Sequence, residues 1–187
     1  MMKTNINGGG DAGVAPTANG PSSNHPAPVP ATHTLVALVQ DRPGVLHRAV
    51  SLLRRRAYNI ESLTVGHSET PGVSRMTLVV EAADVEQVVK QLYRLIEVLK
   101  VSDVTHDATV ERETALLKVH APPAKRPSVM ALAMAFDAKA VDVGASTVVF
   151  EMTASSAKVD SFVELVRPFG LKELMRTGRI VMVRAGA

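Results

Sequence analysis

The sequence predicts an α+β fold in which a βαββαβ unit occurs twice in tandem. From residue 34 onward the period of the hydrophobic pattern switches between two and about 3.6, in the order that such a unit requires. The same order of switches recurs from residue 115. A hydrophobic share of 46% is enough to give both units a packed core.

The first unit begins with a strand that ends at Asp41-Arg42-Pro43-Gly44, a turn signal. Apolar residues then recur at helical spacing from Leu46 to Ala57, and two β-branched runs flank the turn Thr70-Pro71-Gly72 as a hairpin. A second helical stripe and a last strand complete the unit. The predicted elements are strands at 34–40, 59–66, 74–81 and 98–105, with helices along 46–57 and 85–96.

The second unit repeats this order after a charged connector at residues 107–113. Ala121-Pro122-Pro123 breaks its first strand, and Gly144-Ala145 separates its central strands. The predicted elements are strands at 115–120, 139–143, 147–152, 171–175 and 179–183, with helices along 129–136 and 159–166. The order is that of the ferredoxin-like fold, in which two helices cover one face of an antiparallel sheet. Units of about 75 residues are marginal alone, so we expect association between copies.

Residues 1–33 are predicted to form a disordered tail outside both units. They contain five of the eleven prolines and five of the twelve glycines, with one Lys, one Asp and no aromatic residue. Such a segment cannot bury enough apolar surface to offset its ordering entropy. It lacks the apolar stretch of a secretory signal and the arginines of a transit peptide. The predicted domains are therefore residues 34–108 and 109–187.

Several function classes are excluded by composition and spacing. The chain has no Cys, and its six His residues never fall at the spacing of two ligands on one helix face. Gly-x-Ser-x-Gly and His-Glu-x-x-His are absent. A net charge of +3 is spread along the chain, no run of 18 apolar residues occurs, and the predicted central strands lack aromatic residues for base stacking. We predict no metal site, no nucleic-acid site and no membrane span.

The first strand-to-helix corner is the most informative local feature. Asp41 ends a strand, and Gly44 stands where a ligand can approach the backbone closely. Free amides at a helix start attract an anion, and a carboxylate attracts a cation, so the corner suits a zwitterionic α-amino acid with its side chain on Val45 and Leu46. Composition alone favours a simpler reading in which Asp41 ends the strand and caps the helix.

Motifs at this corner and beyond it resemble a known family. Asp-x-Pro-Gly-Val-Leu after a first strand is similar to the signature of ACT domains, which are ferredoxin-like modules that sense amino acids. Longer segments resemble the regulatory (small) subunits of acetolactate synthase, also called acetohydroxyacid synthase. These segments are Ala57-Tyr58-Asn59-Ile60-Glu61-Ser62-Leu63, Ser74-Arg75-Met76-Thr77, residues 91–101, Val110-Glu111-Arg112-Glu113, Arg167-Pro168-Phe169-Gly170 and Arg176-Thr177-Gly178.

The resemblance implies an effector site shared by the ACT domains of two protomers. Carried over, the loop of one chain supplies Asp41, Gly44, Val45 and Leu46. The neighbouring chain supplies Asn59, with Ile60 beside it. Some members carry Asn at the position of Asp41. An ionised Asp41 cannot donate, so we expect it to hold the effector's ammonium group and to leave the carboxylate to the helix amides.

The resemblance also implies the partners and the activity. The chain would form a homodimer through its ACT domains, bind the large catalytic subunit, raise its activity and confer feedback inhibition by valine or another branched-chain amino acid. It would have no catalytic site and no cofactor of its own. Thiamine diphosphate, Mg and FAD would be bound by the catalytic subunit, a transferase that joins pyruvate units. A bacterial-type cytoplasmic location follows. The alternative is a free-standing ACT-type sensor that regulates another partner.

Overall fold

The computed structural model describes residues 31–186. The first unit follows the predicted order. Its elements are β1 (Ala31–Gln40), α1 (Val45–Arg55), β2 (Asn59–His67), β3 (Val73–Ala82), α2 (Val85–Leu92) and β4 (Val98–Asp103). The strands form an antiparallel sheet in the order β2-β3-β1-β4, with β2 and β4 at its edges.

The core of the first unit lies between this sheet and its two helices. Alternate residues of β1 and β3 face the helices, as the period of two predicts. Ala49 and Leu53 of α1 and Val88 and Leu92 of α2 meet them and are fully or almost fully buried. Asp84 caps α2 by accepting a hydrogen bond from the Gln87 amide at 3.2 Å.

The second unit repeats the architecture with one additional strand. Its elements are β5 (Thr109–His120), α3 (Arg126–Ala135), β6 (Lys139–Val143), β7 (Thr147–Ala154), α4 (Ser156–Gly170), β8 (Leu171–Arg176) and β9 (Ile180–Val183). The sheet order is β6-β7-β5-β8, and β9 pairs with the start of β5. Phe150 and Phe162 pack edge to face at the centre of its core, with ring centroids 6.2 Å apart. The predicted α+β fold with two ferredoxin-like units is confirmed.

The first helix of each unit ends in the same way. Ala57 after α1 and Asp137 after α3 both adopt left-handed backbone angles, with φ of 58° and 60°. The next amide then bonds back into the helix, from Tyr58 to Leu53 at 3.2 Å and from Ala138 to Ala133 at 2.9 Å. This shared ending by a residue other than glycine, at equivalent positions, supports the internal repeat.

Among the predicted boundaries that differ from the structure, three have an identifiable cause. β1 begins at Ala31, because residues 31–33 continue its pairing with β3, while the rest of the predicted tail lies outside the described residues. The predicted connector is largely strand, since residues 109–112 pair with β9. The helix predicted along 85–96 ends at Leu92, because the Tyr93 hydroxyl bonds to Val101 and Ile96 points into solvent.

The segment from Thr177 to β9 joins the two units. It crosses the face of the first sheet that α1 and α2 leave open, where Val181 packs with Val36 and Val104 in a small separate cluster. The guanidinium of Arg75 in β3 donates to the Val181 carbonyl at 3.1 Å. The chain is thus two repeats held together by a C-terminal strand that contacts both.

Candidate functional site

The predicted corner after β1 is held in place from outside the loop. The Asp41 amide donates to the Gly72 carbonyl at 2.8 Å, so the β2–β3 turn fixes the point where β1 ends. Gly44 then takes the N-cap position of α1 with φ of 84°, a left-handed conformation that is strained for other residues. Glycine is favoured at position 44 because it adopts this left-handed backbone without strain. The tight turn directs the start of α1 toward the surface.

The start of α1 has backbone donors available to a ligand. No side chain caps it and its first turn contains no acidic residue. The Arg48 amide donates to Gly44 at 3.0 Å and the Val45 amide to Arg42 at 3.4 Å. Among residues 31–186, the amides of Leu46 and His47 have no such acceptor. Two unused amides at the positive end of a helix can attract an anion. The alternative in which Asp41 caps the helix is wrong, because Gly44 takes the N-cap position and no side chain caps it.

Asp41 instead faces a histidine that the sequence analysis did not select. Its Oδ2 lies 3.3 Å from Nδ1 of His67, at the end of β2, and both side chains are exposed. The pair forms because β1 and β2 run in the same direction on either side of β3 and end side by side. That placement depends on sheet order, so no local motif around His67 could reveal it.

Two apolar residues follow Gly44 and face different ways. Val45 is 4% exposed and belongs to the core of the first unit, whereas Leu46 is 44% exposed. In a single chain, therefore, Leu46 alone of this pair presents apolar surface to a ligand. Arg48 lies beside the loop and forms an ion pair of 2.6 Å with Glu97, which neutralises its charge.

The structure does not bring Asn59 and Ile60 to this corner within one chain. They lie at the start of β2, whereas Asp41 lies next to its end, eight strand residues away at His67. At the usual rise per strand residue this is roughly 25 Å. Asn59 donates weakly to Glu81 at 3.5 Å, and Ile60 packs at the margin of the core. One protomer therefore holds two separate halves of the predicted site.

A second polar cluster joins the motifs of the C-terminal half. The carboxylate of Glu113 is buried and accepts hydrogen bonds from Arg176 Nε and, at 2.9 Å, from Ser156 Oγ at the start of α4. Arg176 also contacts Asp160 at 2.6 Å. Burial by itself would lower the pKa of Arg176, but its hydrogen bonds to both carboxylates outweigh this effect and raise that pKa above its ordinary value.

The neighbouring residues of this cluster reach the first unit. A β-carbon on Gly178 would lie 2.6 Å from Ser62 Oγ and 2.8 Å from Thr64 Oγ1, so β2 approaches the backbone of Gly178 closely. The Arg179 amide donates to Ser62 Oγ at 3.3 Å, and Thr64 Oγ1 donates to the Thr177 carbonyl at 3.3 Å. The cluster therefore fixes the position of residues 177–179, which contact β2 closely.

The described residues show neither a cluster of metal ligands nor a helix that could span a membrane. Residues 31–186 contain no group of three His, Cys, Asp or Glu side chains that could hold a metal ion. None of the helices described is long and apolar enough to cross a membrane.

Comparisons with known proteins cover both units. A family model described as the small subunit of acetolactate synthase matches residues 112–185. A model described as the AHAS small subunit-like ACT domain matches residues 35–100. The probable acetolactate synthase small subunit of Archaeoglobus fulgidus is 51% identical over 154 residues, which are 81% of this chain and 96% of that protein.

Further relatives agree. The acetolactate synthase small subunit of Bacillus subtilis is 46% identical over 149 residues, covering 78% of this chain and 87% of that protein. The crystal structure of the acetolactate synthase small subunit from Thermotoga maritima superimposes with a TM-score of 0.76 at 36% identity, covering 84% of this chain and 99% of that one.

Proposed function

Because the chain belongs to the family of acetolactate synthase small subunits, we propose that it binds and activates the catalytic subunit and confers feedback inhibition by a branched-chain amino acid. The carboligation of pyruvate, with thiamine diphosphate, Mg and FAD, belongs to the catalytic subunit in the cytoplasm. This chain contributes binding and coupling. The observation that carries the effector half of the proposal is the uncapped start of α1 beside Asp41.

An α-amino acid matches this corner group by group. Its carboxylate would accept from the unused amides of Leu46 and His47, where the helix dipole favours a negative charge. Its ammonium would pair with Asp41, whose carboxylate is free of any Lys or Arg within 4.0 Å among residues 31–186. An aliphatic side chain would lie against the exposed face of Leu46.

A second protomer would complete the site. β2 is an edge strand, so its outer side is open to pairing with another copy. If two β2 strands pair antiparallel about a two-fold axis, the start of one lies beside the end of the other. Asn59 of one protomer would then approach the end of the sheet where Asp41 of the other lies. A homodimer formed through the first unit would therefore bring together the two halves of the site, which are far apart in a single chain.

Reconstitution tests the regulatory role. The purified chain alone should form no acetolactate from pyruvate, should raise the turnover of the purified catalytic subunit, and should transmit inhibition by at least one of valine, leucine and isoleucine. Turnover by the isolated chain would contradict the assignment as a non-catalytic subunit. A chain that binds one of these amino acids but leaves the catalytic subunit unaffected would instead indicate a free-standing sensor.

Calorimetric titration tests the effector site. We expect Asp41→Ala and Asn59→Ala each to weaken binding of the effector by about 10- to 100-fold, because each removes a hydrogen bond to a charged group. Asp107→Ala is the matched control, since it removes an exposed carboxylate far from the corner and should leave affinity unchanged. Wild-type affinity in both site variants would refute the assignment.

A further inference from the structure

A groove of about 730 Å³ lies where the two units meet. The β2–β3 hairpin forms one wall through residues such as Thr64 and Thr77, and β9 with the start of β5 forms the other. We call it the arginine groove, because Arg75, Arg112 and Arg184 line it. Its margin borders the proposed effector site at His67, which lines the groove and contacts Asp41.

The charge of the arginine groove is of one sign. Its lining contains three arginines and His67 but no Asp or Glu. Among residues 31–186, no carboxylate oxygen lies within 4.0 Å of these three guanidinium groups, whereas Arg48 and Arg176 are ion-paired. Hydrogen bonds to backbone carbonyls hold them in place, from Arg75 to Val181 at 3.1 Å and from Arg184 to Thr109 at 3.2 Å. The three guanidinium groups are therefore held in place without a carboxylate partner, and the Asp41 carboxylate at the margin contacts His67 instead.

The ribbon formed by β9 and the start of β5 places apolar side chains beside these charges. Val181 points toward the first unit and is buried. Side chains alternate along a strand, so the opposite face of the ribbon carries Ile180 and Met182, with Val110 paired to Met182. Ile180 is 58% and Met182 67% exposed. Contiguous exposed apolar side chains next to unpaired arginines have the composition of a protein interface.

We propose that the arginine groove binds a segment of the catalytic subunit that combines acidic and apolar side chains. This inference rests on the proposed function, which supplies the partner. Charge complementarity identifies the occupant, since carboxylates would pair with the three arginines while apolar side chains cover Ile180 and Met182. Two copies of this chain do not fit groove to groove, because that would bring like charges together. The lining also lacks Phe, Tyr and Trp, the usual residues for stacking nucleic-acid bases.

The test measures the affinity of the full chain for the purified catalytic subunit. Arg112→Glu with Arg184→Glu should weaken it by at least about 100-fold and reduce its dependence on salt, because two charge pairs become repulsions. Met182→Ser tests the apolar component alone and should cost about tenfold. Arg94→Glu reverses an exposed arginine outside the groove and is the matched control.

The outcomes separate this inference from the proposed function. If the wild-type chain fails to bind the catalytic subunit, the proposed function fails. If the wild type binds and the double variant binds equally well, only the groove assignment is overturned. Loss of self-association or of DNA binding in the double variant, with unchanged affinity for the catalytic subunit, would also overturn it. Calorimetric binding of the effector by the double variant confirms that the variant is folded.

Discussion

Removing Arg176 should destabilise the second unit more than removing any exposed arginine. Arg176→Met keeps the length of the side chain but leaves the Glu113 carboxylate, which is 3% exposed, with Ser156 Oγ as its remaining side-chain donor. Glu113 also faces the start of α4, where Ser156 begins the helix. The perturbation therefore leaves a buried charge without its counter-charge at the point where α4 meets β5.

The magnitude follows from that burial. Breaking a buried ion pair by removing one partner costs about 3–5 kcal/mol. Arg176 is itself 31% exposed, so water can partly replace its guanidinium, and we expect the low end, about 3 kcal/mol. For a unit of about 75 residues each kcal/mol corresponds to about 4–8 °C, which predicts a Tm lower by about 12–24 °C.

Thermal and urea unfolding followed by circular dichroism measure this loss. Glu113→Gln combined with Arg176→Met should recover most of it, because the buried charge is then removed with its partner. Arg167→Met breaks an exposed pair with Glu164 and should leave Tm unchanged. A loss below about 1 kcal/mol in Arg176→Met, or a double variant less stable than either single one, would refute the reasoning.

Three further changes test the packing. Gly178→Ala should lower the free energy of unfolding by at least about 1 kcal/mol, because φ is +85° and the new methyl group would clash with Ser62 and Thr64. Faster hydrogen exchange of the β2 amides would show that the effect lies at this contact. Exchange at the wild-type rate would contradict the prediction. Ala57→Gly should raise the free energy of unfolding, measured in urea, by about 0.5–1 kcal/mol, since it removes the strain of an alanine in the left-handed conformation. Leu53→Ala should cost about 2–5 kcal/mol by the same measurement, and a smaller loss would mean that the core collapses around the site.

Local patterns were sufficient for the elements of both units and for their cores. Leu53 and Leu92 lie on the predicted helical stripes, and both are fully buried. The patterns failed where pairing is nonlocal. Residues 109–112 carry charges typical of a connector, yet they form a strand because β9, some 70 residues later, pairs with them. Glu113 is buried for the same reason, since its partner Arg176 comes from β8.

The residues of the corner after β1 could be predicted only in part from the sequence. Gly44 has a local signature, and the structure places it at the start of α1 with the expected backbone freedom. His67 has none, because sheet order alone puts it beside Asp41. The resemblance assigned Asn59 to a neighbouring chain. Its place at the far end of β2 agrees with that assignment, which stays a prediction because the contact lies between protomers.

One strand touches every proposed binding region of the molecule. β2 begins at Asn59, contacts Gly178 through Ser62 and Thr64, lines the arginine groove through Thr64 and ends at His67. In the proposed site, an effector bound by Asn59 of one protomer contacts the start of that protomer's β2, which is the strand that packs against Gly178. Movement of β2 would therefore be one route by which effector binding could be coupled to partner binding, and the close contact at Gly178 is where the second unit would respond to it.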